Sequence, residues 1–129
     1  MTDIFSAWRD NFTLEQPQGD LTEVGRLSLP IGRYSISAKF YLGLPMIPGV
    51  ELQTVQATLK AGNDSDVSWV SNSFANQGAV AALNVVHFFP VAGTAVLECE
   101  FPNSPGKTDI RFIKITAISA DALTNTPMP

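Results

Sequence analysis

The stretch Tyr34-Ser35-Ile36-Ser37-Ala38-Lys39-Phe40-Tyr41-Leu42 decides how the rest of the chain is read. Tyr34, Ile36, Ala38, Phe40 and Leu42 share one phase, and Ser35, Ser37 and Lys39 share the other. Successive side chains of an extended backbone point to opposite faces, so this period of two predicts a half-buried β-strand. Gly32 before it and Leu44-Pro45-Met46-Ile47-Pro48-Gly49 after it are turn material.

The same rhythm recurs outward from that strand. Val55, Ala57, Leu59 and Ala61 alternate with Gln56, Thr58 and Lys60, and the run stops at Gly62-Asn63-Asp64-Ser65. Residues 66 to 74 read as a short strand centred on Trp69, followed by a loop at Asn76-Gln77-Gly78. From Ala79 to Phe89 both phases are largely apolar, which predicts a strand covered on both faces. Ala95, Leu97, Cys99 and Phe101 then alternate with Val96, Glu98 and Glu100. The last run, Ile110 to Ala120, sets Ile113, Ile115 and Ala117 against Phe112 and Ile118. Gly19 to Leu29 reads as a further strand, and the tail from Asn125 to Pro129 as frayed. At the N-terminus Ile4, Phe5, Trp8 and Phe12 keep helical spacing behind a Thr2 or Asp3 cap, so a short helix and an irregular first strand both fit.

About seven or eight short strands separated by Gly and Pro predict an all-β fold, an antiparallel β-sandwich of jelly-roll type. A parallel sheet would need crossover helices between the strands, and no helical pattern lies there. The chain of 129 residues buries one core, so 1–129 is expected to be a single domain with its core over about 20–123.

Composition narrows the function. Eight basic and twelve acidic residues give a net charge of −4, which supplies no basic stripe for nucleic acid. No apolar run is long enough for a membrane-spanning helix, so no membrane insertion is expected. No secretory signal is legible, which points to a cytoplasmic protein or one released without an N-terminal signal. Charged residues make up 16% of the chain against about 25% in an average domain. Neutral polar surface, or surface hidden in an oligomer, must replace them.

Leu29-Pro30-Ile31-Gly32-Arg33-Tyr34-Ser35-Ile36-Ser37-Ala38-Lys39, Leu59-Lys60-Ala61-Gly62-Asn63-Asp64-Ser65-Asp66, Val86-His87-Phe88-Phe89, Ala95-Val96-Leu97-Glu98-Cys99 and Ile113-Lys114-Ile115-Thr116-Ala117-Ile118 carry a resemblance. In this order they resemble bacterial jelly-roll modules of the tumour-necrosis-factor and complement-globular-head superfamily. The likeness covers roughly residues 20 to 123 and rests on packing motifs. It implies a homo-oligomer, with a trimer favoured, that binds receptors, glycans or surfaces. The usual collagen-like stalk is not seen, which favours a bacterial or phage-associated binding module.

Chemistry-bearing residues are few. His87, the single histidine, sits in the most apolar strand and reads as a structural or interface residue rather than a general base. Cys99 lies on an inward phase and reads as core. Asp64 and Asp66, with Asn63, are a weak candidate for Ca²⁺, because the remaining ligands of a calcium loop are missing. No cofactor is implied. Tyr41 and Trp69 are amphipathic aromatics suited to stacking on a sugar, so Tyr41, Asn63, Asp64, Asp66 and Trp69 are the expected ligand residues. Phe88, Phe112 and Ile118 lie out of phase with the core and, with His87, are the expected subunit interface.

The expected role is non-enzymatic binding or adhesion, to a glycan or protein surface, through loops at residues 43–49, 62–66, 71–78 and 103–107. One alternative is a structural component of a virion, tail or appendage. A more remote one is an enzyme with an inter-subunit site around His87.

Overall fold

The computed structural model describes residues 2–74 and 79–129, so the expected loop at Asn76-Gln77-Gly78 lies outside the described residues. Eight strands follow one another: β1 (Ile4–Gln16), β2 (Thr22–Leu29), β3 (Gly32–Leu42), β4 (Leu52–Ala61), β5 (Asp64–Ser73), β6 (Ala79–Phe89), β7 (Gly93–Glu100) and β8 (Gly106–Ala120). They build two antiparallel sheets, ordered β1-β8-β3-β6 and β2-β7-β4-β5. This is the all-β sandwich that the alternation predicts.

The N-terminal alternative resolves to strand. Ile4 to Gln16 pair with β8 along their length, and no helix occurs among the described residues. Helical spacing of Ile4, Phe5, Trp8 and Phe12 is overridden because β8 offers an open edge to pair with. Leu14 is fully buried while Phe5, Ala7 and Phe12 pack against the core, so the sandwich begins well before residue 20.

The core is the sum of the inward phases. Phe40, Ile36, Leu59, Leu97, Phe101 and Ile115 are among its largest enclosed side chains, and Cys99 is enclosed beside them. The double-apolar run β6 turns Ala81, Leu83, Val85 and Phe89 inward and leaves Val80 and Phe88 outward and exposed.

Two bulges adjust the phase where strict alternation would fail. In β8, the pairing of Lys39 with Lys114 is followed by that of Tyr41 with Arg111, so Phe112 and Ile113 together oppose Phe40. Phe112 adopts φ 53°, a left-handed conformation rare for a bulky residue. The bulge lets Ile110 and Ile113 both face the core, which an unbroken period of two forbids. In β2 a similar shift between Glu23 and Gly25 brings Val24 inward.

Candidate functional site

The outer face of the β1-β8-β3-β6 sheet can be read as rows of side chains that lie side by side across the strands. Ile4, Ile118, Ser35 and Val86 form one row. Ser6, Thr116, Ser37 and Asn84 form the next, and Trp8, Lys114, Lys39 and Ala82 the one after. Beyond them Tyr41 lies beside Val80 and packs edge-on against Phe112, with ring centroids 5.6 Å apart. Phe88, Phe112 and Ile118 are 44%, 55% and 45% exposed, so the face is apolar on both sides of a polar stripe. Phe88 carries the Arg33 guanidinium 4.8 Å above its ring.

A depression of about 570 Å³ occupies that stripe, lined by Ser37, Lys39, Asp66, Ala82, Asn84, Lys114 and Thr116 among others. Asn84 is a knot within it. Its Nδ2 donates to the Ile36 carbonyl at 3.0 Å and the Ser37 hydroxyl at 3.1 Å. The backbone N–H of Asn84 donates to Asp66 Oδ2 at 2.9 Å, and that of Val67 donates to Oδ1 at 3.0 Å. Asp66 therefore stitches β5 of one sheet to β6 of the other, and both its oxygens are engaged within the chain.

Asp64 is engaged in the same way. The Nδ1–H of His87 donates to its Oδ2 at 2.7 Å, and the ring stands edge-on to Phe89 at 4.5 Å. The hairpin between β4 and β5 turns on Gly62 and Asn63, with Gly62 at φ 60° in the first central position of a two-residue turn. A Cβ on Gly62 would lie 2.5 Å from His87 Cε1 and Nε2, so the turn backbone closes over the far edge of the ring. The imidazole, expected at a subunit contact, is thus held by its own chain. No group of three or more metal-ligating side chains occurs among the described residues. Asn63 is exposed at the tip of the turn.

The five expected ligand residues do not converge. Tyr41 projects from the outer face of one sheet and Trp69, 57% exposed, from the outer face of the other. Asn63, Asp64 and Asp66 sit at the edge where the sheets meet. Tertiary pairing instead brings together Lys39, Lys114, Ser37, Thr116 and Asn84, with exposed Trp8 across β8 from Lys114. The outward phase of Lys39 is legible in the sequence, but its meeting with Lys114 depends on a register set across 74 intervening positions.

A second polar group pins the loop after β3. Asn72 Nδ2 donates to the Gly43 carbonyl and, at 3.1 Å, to Thr108 Oγ1, which in turn donates to the Leu44 carbonyl at 3.0 Å. Gln53 Nε2 donates to the Lys107 carbonyl at 3.1 Å, and all three side chains are buried. No sequence signal singled out this trio, because a lone amide in a strand looks like an exposed one.

Two protonation shifts follow from burial. Removal from water pushes the Cys99 thiol up to about 12, with the Glu98 charge adding to the effect. Burial likewise raises Tyr34, whose hydroxyl donates to the Pro30 carbonyl at 2.8 Å.

No protein-family model matches this sequence, and no curated protein is significantly similar to it. Among solved structures, the chain is similar to the globular domain of zebrafish complement 1qA protein, at 12% identity and a TM-score of 0.50. That match covers 94% of this chain and 98% of the other. Eiger TNF from S. frugiperda matches at 9% identity and a TM-score of 0.46, over 98% of this chain and 99% of its own. The extra small virus particle of the giant freshwater prawn Macrobrachium rosenbergii matches at 12% identity and a TM-score of 0.31, over 89% and 79%. The likeness is one of fold: this chain is a jelly-roll sandwich of the kind found in the complement 1q globular domain.

Proposed function

We propose that this chain is a non-enzymatic binding module that works as a closed homo-oligomer, with three copies favoured, and recognises a glycan or protein surface. One observation carries the reading. Phe88, Phe112 and Ile118, joined by Ile4 and Trp8, leave an apolar outer face on a finished sandwich whose core needs none of them. Faces of this sort are association surfaces.

A second apolar patch supports a ring rather than a two-fold pair. Val67 and Trp69 on β5, with Leu52 and Phe74 at its end, are exposed on the opposite sheet. A two-fold pair buries the same patch twice and would leave the other wet, whereas a head-to-tail ring can cover both. The single histidine supports the non-enzymatic reading: its Nδ1 is spent on Asp64 and its Nε2 lies under Gly62.

The test is the solution mass. Light scattering should give three times 13.9 kDa for the native chain. The double variant Phe112→Ser, Ile118→Ser should run as single chains of about 13.9 kDa with unchanged circular dichroism. A native chain that is monomeric at micromolar concentration overturns the proposal. A defined oligomer that binds nothing on a glycan array favours the appendage or virion role instead.

A further inference from the structure

The depression over Lys39 and Lys114 has a composition that the packing of the sandwich does not require. The two lysines stand directly opposite each other on β3 and β8. Like charges in that position repel, which disfavours the pairing. Lys60 and Lys107 are matched with Glu98 and Glu15, but no acidic partner lies within ion-pair distance of Lys39 or Lys114 among the described residues. In a chain of net charge −4, this is a local concentration of positive charge set on a rigid sheet.

The trough runs from this pair across Ser37, Thr116 and Ala82 to Asn84 and Asp66 at the β6 edge. Its volume of about 570 Å³ falls within the range of small-molecule sites. Its two ends differ chemically. Ammonium groups at one end attract an anion, while the Ser37 and Thr116 hydroxyls and the Asn84 amide at the other suit hydroxyl groups that both donate and accept. The Asp66 carboxylate would repel an anion at its own end, which orients such a ligand.

We propose that this trough binds a carboxylated saccharide, its carboxylate between Lys39 and Lys114 and its hydroxyls over Ser37, Thr116 and Asn84. The assignment rests on the binding-module reading and names its ligand class. The carboxylate satisfies two lysines that the chain leaves without a counter-charge, and the neutral polar floor matches ring hydroxyls better than an apolar partner.

The test is calorimetric titration of the full chain with digalacturonate and 3′-sialyllactose, against methyl-esterified digalacturonate and lactose as neutral controls. At least one acid should bind ten-fold or more tighter than its neutral counterpart, and binding should weaken as salt rises. Lys39→Met and Lys114→Met should each weaken it at least ten-fold with an unchanged or higher melting temperature, and Lys39→Arg should retain most of it. Equal binding of acid and neutral forms, or binding insensitive to both Met variants, overturns the site. So does silence from both acids; a neutral glycan found on an array would then leave the binding-module reading standing. If the Met variants instead change only the oligomeric mass, the lysines serve carboxylates of a neighbouring copy and the saccharide site is wrong.

Discussion

His87 donates from Nδ1 to Oδ2 of Asp64 across 2.7 Å, and the Gly62 backbone between β4 and β5 closes over the opposite edge of the same ring. A residue with the credentials of a general base is thereby a clamp between the β4–β5 hairpin and β6. Gly62→Ala should therefore destabilise the fold by about 1–3 kcal/mol, since it combines a left-handed backbone with a collision against an enclosed ring. Thermal unfolding followed by circular dichroism measures this. An unchanged midpoint would mean that the ring swings aside without cost.

Asp66 makes a sharper prediction about cations. Both of its oxygens accept backbone N–H groups, from Val67 and Asn84. Asp66→Ala should cost about 1–3 kcal/mol by leaving the Asn84 N–H without its acceptor. Millimolar Ca²⁺ and EDTA should leave the melting curve of the native chain superimposable. A calcium-dependent rise in midpoint would show that this edge opens to take a metal.

The Cys99 thiol sets an alkaline limit. Its pKa rises from an ordinary 9.0 in the unfolded chain to about 12 in the fold. Below pH 9 both states keep the proton and the thiol has no effect on stability. Above pH 9 only the unfolded chain releases it, so stability falls as pH rises, at a limiting slope of about 1.4 kcal/mol per unit, until the folded thiol also titrates. Urea midpoints between pH 8 and 10, a range kept low enough to limit any contribution from Tyr34, should fall for the native chain and less for Cys99→Ala. Ellman's reagent should leave the native thiol unmodified at pH 8 and modify it in urea.

The buried Asn72 holds the loop after β3 by its bond to Gly43 and through Thr108 to Leu44. Asn72→Ala should lower stability by about 1–3 kcal/mol and raise hydrogen exchange at Gly43 and Met46, whose N–H groups donate to β8 carbonyls. Exchange that rises evenly through the whole sandwich would indicate global loosening and no special hold on the loop.

Much of this molecule is local in origin. The alternation of Tyr34 to Leu42 is reproduced residue for residue in the burial of β3, and the Gly62-Asn63 turn stands where the chain chemistry puts it. The outward greasy residues Phe88, Phe112 and Ile118 are also legible, because side-chain period is a property of the extended backbone itself. From β2 onward, strand identity, most inward phases and the all-β class were therefore determined by the sequence alone. What it did not reveal are relations between distant segments: β1 completing the sheet against β8, the bulge at Phe112, Asp64 engaging His87, and Lys39 meeting Lys114. Each depends on which strand lies beside which and in what register. That choice is made by closing long loops and filling one shared core, and no short window of residues records it.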